Sequence, residues 1–131
     1  YGVVAAIDMK VGKVLWRVAH GETPDNVRFH PKLQGMDIPT TGQRGNVGMI
    51  VTKTLAILGD PQVTNPGDRE RGAMLRAYDK MTGENVGKVW MPAGQSGSPM
   101  TYSIDGQQYI VVSVSGGAYS GEFRAYKLPE D

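Results

Sequence analysis

The sequence predicts an all-β fold of short antiparallel strands, and three observations carry that prediction. Glycine supplies 18 of 131 residues and proline eight more, a content that demands many tight turns. No segment shows the 3.6-residue apolar period of an amphipathic helix. A strand–turn–strand pattern also echoes at three places along the chain, and such internal repeats set an architecture before any single element does.

The first copy runs Val4-Ala5-Ala6-Ile7-Asp8-Met9-Lys10-Val11-Gly12-Lys13-Val14-Leu15-Trp16. A strand approaches the Ala-x-Asp step, where the small alanine packs closely and the aspartate opens a turn by accepting bonds from nearby backbone N–H groups. Gly12, four residues on, supplies the positive φ that the turn needs. A second strand follows from Lys13 to Val18, and its alternation is expected to put Val14, Trp16 and Val18 on one face. The second copy is Leu75-Arg76-Ala77-Tyr78-Asp79-Lys80-Met81-Thr82-Gly83-Glu84; the third is Phe123-Arg124-Ala125-Tyr126-Lys127-Leu128. The same hairpin is thus expected three times.

Other strands are expected between the copies. Val47 to Val51 and Thr54 to Leu58 flank a tight turn at Thr52-Lys53, and Gly59-Asp60-Pro61 stops the second run. Met100 to Ser103 and Gln108 to Val114 flank Ile104-Asp105-Gly106-Gln107, where Asp-Gly is a strong hairpin signal. Residues from about 20 to 46 are polar and rich in Pro and Gly, and read as a long excursion over one end of the sheets. Residues from about 61 to 72 form a second loop.

The repeated alanines lie 71 and then 48 residues apart, and roughly 40–50 residues is the usual unit of a propeller blade. The expected architecture is therefore a partial β-propeller of two to three four-stranded antiparallel blades over residues 1–131, the first interval holding one blade plus an insertion. Blades bury their faces on neighbours. Such a chain is expected either to accompany the rest of its propeller or to self-associate, with Trp16, Val14 and the Ile110–Val112 strand contributing to the faces. The start at Tyr1, without an initiator Met, fits a stretch of something longer.

Fourteen basic and thirteen acidic residues leave a formal charge of +1, so electrostatics makes no case for a nucleic-acid partner. Cysteine is absent, which excludes disulfides and thiolate metal sites within this sequence. The longest apolar tract, around Ile110-Val111-Val112, has strand length rather than the ~20 residues of a membrane span.

The repeats resemble the tryptophan-docking motif of the pyrroloquinoline-quinone (PQQ) dehydrogenases, eight-bladed propellers whose pattern is roughly Ala-x-Asp-x-x-Thr-Gly-Lys-x-x-Trp. The first copy matches with Ala6, Asp8, Gly12, Lys13 and Trp16, with Val11 in place of Thr. The second matches with Ala77, Asp79, Thr82 and Gly83, but Gly87 stands where the Trp belongs and Trp90 comes three residues late. Gly97-Ser98-Pro99-Met100-Thr101-Tyr102, the Asp105–Val112 run and Gly116-Gly117 resemble the family's near-terminal signature. The closing Ala125-Tyr126-Lys127-Leu128-Pro129 is similar to the terminus of the membrane-bound glucose and quinate dehydrogenase branch.

That resemblance implies a segment of a PQQ-dependent dehydrogenase that oxidises a sugar, polyol or alcohol and passes electrons to a respiratory quinone acceptor. It implies PQQ and Ca2+ in the parent enzyme, a periplasmic location and attachment to the bacterial inner membrane through the parent. The family's general base, metal ligands and main quinone clamps lie upstream of the matched stretch, so no catalytic or metal-ligating residue is assigned here and the isolated segment is expected to be inactive. The alternative is a non-catalytic propeller acting as a binding or assembly scaffold.

Within this chain the turn at Gly116, Gly117 and Ala118 is the candidate cofactor-binding site, because the branch places the residue after its paired glycines near the substrate. Asp8, Asp79 and Asp105 are read as turn formers, and His20 and His30 as structural or solvated. Arg28 and Arg44 could meet an anionic group such as a PQQ carboxylate, though surface salt bridges are the simpler reading. Gly94 to Ser98 resembles a phosphate cradle but precedes no helix, and that reading is rejected. Trp16 and Trp90 are read as core or docking residues.

Overall fold

The computed structural model describes residues 1–129. Strand accounts for 47% of the chain and helix for 5%, far below the usual globular helix share of about a third, so the all-β expectation holds. Among the described residues nine strands form three antiparallel sheets. The first sheet pairs β1 (Val3–Asp8) with β2 (Lys13–Ala19). The second, in the order β3 (Ile50–Val51), β4 (Leu55–Gly59), β5 (Ala73–Asp79) and β6 (Asn85–Met91), is a four-stranded meander. The third joins β7 (Met100–Ile104), β8 (Gln107–Gly116) and β9 (Tyr119–Lys127). The excursion after β2 contains one helical turn, α1 (Asp25–Arg28), and a 3-10 turn over Pro31–Leu33. Both are too short to show a period in the sequence.

The two hairpin copies are superposable in their bonding. Gly12 N donates to Asp8 O at 2.7 Å and Gly83 N to Asp79 O at 2.8 Å, while each aspartate carboxylate caps its turn, taking Lys10 N in one and Met81 N and Thr82 N in the other. Both turn glycines hold positive φ, 67° and 77°. Each hairpin also carries a bulge at the same step, between Ala6 and Ile7 and between Ala77 and Tyr78. The first bulge corrects the expected face of β2: Ala6 pairs Trp16 but Ile7 pairs Val14, so Leu15 is the extra residue and Val14 turns to the opposite face from Trp16. Val14 is accordingly 60% exposed. The third copy corrects the expected triple hairpin. Its residues Phe123 to Lys127 lie in β9, which pairs back on β8 as β5 pairs on β4, and no returning arm follows among the described residues. The Asp105-Gly106 turn has positive φ at both residues, 50° and 82°, as a two-residue hairpin turn requires.

Two layers of contact join the sheets. Between the first and second, Val4, Leu58 and Tyr78 form a small buried cluster edged by Trp16, Val18 and Val47. The Trp16 ring lies on Gly83, where a Cβ would come within 2.6 Å of it, and its indole N–H donates to Lys80 O at 3.0 Å. Between the second and third, Ile57, Ala73, Leu75, Met91 and Ala93 pack against Ile110, Val112 and Val114. Ile110 and Val112 are thus covered by the second sheet, which corrects the expectation that they sit on a free face. Gly87 pairs Ala77 as Trp16 pairs Ala6, so it occupies the docking position without a ring. In its place is an apolar hollow of about 320 Å3, lined by Leu55, Ile57, Ala77, Val89, Ile110 and Leu128 among others.

Candidate functional site

The loops β4–β5 and β8–β9, together with the segment from β6 to β7, emerge at one end of the second and third sheets. There they enclose a hollow of about 670 Å3 lined by Pro61, Gln62, Val63, Arg71, Pro92, Gly94, Ser115, Gly116, Gly117, Ala118 and Tyr119. All three residues of the expected turn line it. Gly116 and Gly117 hold φ of 142° and 61°, and a Cβ on either would meet nothing within 4 Å, so glycine is set here by backbone conformation and leaves bare main chain on the wall. Ala118 adds only a methyl group. The volume falls in the range of roughly 300–1,000 Å3 typical of small-molecule sites.

The walls are anchored by the strands below. Gly94 abuts the Pro61 carbonyl so closely that a Cβ would collide with it. Gln95, 7% exposed, reaches both ways: its side-chain carbonyl accepts from Gly59 N, and its amide donates to Gly48 O at 2.7 Å. The segment read as a false phosphate cradle is therefore a brace, and β7 rather than a helix follows it. Thr64 and Gly72 exchange backbone bonds at 2.8 and 3.0 Å, pinching the β4–β5 loop into a closed lobe.

Beside this hollow lies a buried polar network that sequence reasoning did not assemble. Asp60, 0% exposed, accepts from Arg76 Nε at 2.6 Å, Arg76 Nη2 at 3.0 Å and Met74 N at 3.2 Å. Arg76 also bonds Glu22 at 3.0 Å, and Glu22 meets Arg28 at 3.5 Å. Burial disfavours the Arg76 charge, but the two carboxylates outweigh that and hold its pKa above the ordinary value. Burial likewise pushes Glu22 up, yet the Arg76 guanidinium prevails and its carboxyl sits below the usual range. His20, 4% exposed, joins the same junction: Nδ1 lies 2.9 Å from Tyr78 Oη and Nε2 3.0 Å from Gly59 O. With a carbonyl on Nε2, that nitrogen carries the proton and Nδ1 accepts from the phenol. Burial lowers the imidazole pKa and pushes Tyr78 up to about 12. In the sequence Asp60 marks only the end of a strand. Its partners are 16 and 14 residues away and Glu22 is 54 from Arg76, so no local spacing announces the network.

The remaining candidates resolve individually. Arg28 forms the salt bridge just described, and Arg44 lies by Gln62, whose amide donates to the Arg44 carbonyl at 2.8 Å. His30 Nδ1 accepts from Lys32 N and caps the 3-10 turn. Among the described residues no cluster of three or more His, Cys, Asp and Glu side chains has metal-holding geometry, so a Ca2+ site made from this stretch alone does not fit. No helix among the described residues is long and apolar enough to cross a membrane.

Comparison with known proteins places the chain. A family model described as the β-propeller domain of PQQ-type glucose/ethanol/alcohol dehydrogenases matches residues 1–110. The probable quinate dehydrogenase (quinone) of Xanthomonas campestris pv. juglandis is 34% identical over 99% of this chain, and the quinoprotein glucose dehydrogenase of Escherichia coli (strain K12) is 31% identical over all of it. The glycerol dehydrogenase large subunit of Gluconobacter oxydans (strain 621H) is 30% identical over 99%. The chain spans only 16% of the first two relatives and 17% of the third.

Proposed function

Because this chain belongs to the β-propeller family of PQQ-type glucose, ethanol and alcohol dehydrogenases, we propose that it is a wall segment of such an enzyme, oxidising a sugar, polyol or alcohol. The observation that carries this reading is the placement of Gly116, Gly117 and Ala118 together on a 670 Å3 hollow at the loop end of the sheets. PQQ, when bound, supplies the two-electron acceptor for the oxidation. The residues of this chain contribute contact and exclusion: bare glycine backbone allows a flat ring or sugar face to approach closely, while Pro61, Val63 and Pro92 keep water from one side. Ala118 sets the depth available. Ca2+ and the general base belong to the remainder of the parent, as do transfer to a respiratory quinone and attachment to the inner membrane at the periplasmic side. A scaffold propeller would need only the docking repeat, and has no use for a glycine-walled hollow.

The test uses the parent protein loaded with PQQ and Ca2+. Dye-linked oxidation of at least one sugar, polyol or alcohol is expected, and Ala118→Trp is expected to lower kcat/KM at least tenfold while PQQ content stays constant. A parent inactive on all three classes, or an Ala118→Trp enzyme with wild-type kcat/KM, would overturn the assignment. The 131-residue chain alone is expected to show no activity.

A further inference from the structure

The polar side chains around the hollow are unequally occupied. Gln62 gives its amide to the Arg44 carbonyl, and Tyr119 gives its hydroxyl proton to Glu122 at 2.8 Å. Arg71 and Ser115 have no side-chain hydrogen bond or ion pair among the described residues. Arg71 is also the one ionisable cation on the lining, since the other members are apolar, glycine, amide, hydroxyl or phenol. Both free groups stand on fixed backbone. Arg71 precedes Gly72, whose two bonds with Thr64 close the lobe, and Ser115 N donates to Gly94 O at 3.0 Å. Arg71 is exposed, and its guanidinium presents two parallel donors that match a carboxylate. A neutral sugar has no group for it.

We infer that Arg71, with Ser115 on the same hollow, is a specificity-determining carboxylate receptor, and that the substrate favoured by this chain is a hydroxy acid rather than a neutral sugar. The guanidinium fixes the acid group; the Ser115 hydroxyl and the Gly116–Gly117 backbone take the hydroxyl-bearing ring. This rests on the dehydrogenase reading above. A carboxylate could also come from PQQ itself, and the experiment separates the two sources.

In the PQQ-loaded parent, kcat/KM is measured for quinate, a hydroxy acid, and for glucose, in wild type, Arg71→Gln, Arg71→Lys and Ser115→Ala. The expected result is a quinate-to-glucose ratio at least tenfold lower in Arg71→Gln, expressed in the KM for quinate, with partial recovery in Arg71→Lys and a smaller loss in Ser115→Ala. An unchanged ratio overturns the inference, as does a wild-type enzyme that oxidises glucose but neither oxidises nor is inhibited by quinate. A fall in PQQ affinity that lowers both substrates equally also overturns it, because the carboxylate met by Arg71 is then the cofactor's. If the parent oxidises nothing, the dehydrogenase reading falls; equilibrium dialysis of quinate against the loaded protein then decides the receptor, with tighter binding to wild type than to Arg71→Gln supporting it and equal binding sinking it.

Discussion

The junction between the first and second sheets is held by one indole, a cluster of three buried side chains and the ion pair from Glu22 to the buried Arg76, whereas the junction between the second and third is held by eight aliphatic and thioether side chains. At the first, Trp16 finds both a glycine floor and a carbonyl for its N–H. At the second, the docking position is Gly87, and Trp90 lies three residues along with its indole N–H buried and unpartnered among the described residues. The third copy has Lys127 where the other two have their turn aspartate. At this junction the ring is absent and the apolar cluster holds the sheets together. Directional anchoring can therefore be exchanged for non-directional burial within one repeat family, provided enough apolar area is available.

The largest effect that would sharpen this contrast comes from the charges. Arg76→Ala leaves Asp60 buried without its partner and is expected to cost about 3–5 kcal/mol in urea unfolding of the chain at fixed concentration, while Asp60→Asn with Arg76→Met is expected to recover much of that loss. A single-variant cost below about 1 kcal/mol would show that the fold does not depend on the ion pairs of Arg76. Met91→Ala, at a fully buried site of the second junction, is expected to cost about 2–5 kcal/mol by the same measurement. Near-neutrality there would mean the apolar cluster is not what replaces the docking ring.

Smaller effects separate the junctions further. Gly87→Trp puts a ring into the 320 Å3 hollow, where the only nearby atom to a new Cβ is Ala77 Cβ at 4.0 Å. It is expected to raise stability by about 1 kcal/mol, since a strand glycine is replaced and apolar area buried. A loss of stability would show that the hollow is shaped for something other than an indole. The smallest expected effect is a pH dependence of the first junction alone. The folded pKa of His20 is lowered, so the unfolded chain binds the extra proton: stability is complete above the ordinary imidazole value of about 6.5 and falls as pH drops through it. His20→Gln is expected to flatten that part of the stability–pH curve. An unchanged slope would assign the dependence to other groups.

Much of the fold was legible because its signals are local. The Asp105-Gly106 turn, the Asp8-to-Gly12 and Asp79-to-Gly83 turns and the alternation of β8 each lie within a few residues and repeat. The misreading of Val14 has a physical source: a bulge adds one residue and inverts everything beyond it, and nothing in Lys13-Val14-Leu15-Trp16 signals it. At the candidate site, the paired glycines were legible from resemblance. Arg71 was not, since its significance depends on Ser115 and Gly94 being brought to it from 23 and more residues away. The Asp60–Arg76–Glu22 network escaped for the same reason.

The repeat assigns equivalent places to β1, β5 and β9, yet their neighbours differ. β5 has a strand on each side; β1 has only the one that follows it, and β9 only the one that precedes it. Among the three repeat strands β1 and β9 are therefore sheet edges, open on opposite sides, and β9 presents Phe123 at 83% exposure. An open edge can take the edge of another copy either reciprocally about a two-fold axis or head to tail, and only the second continues into a ring or a fibre.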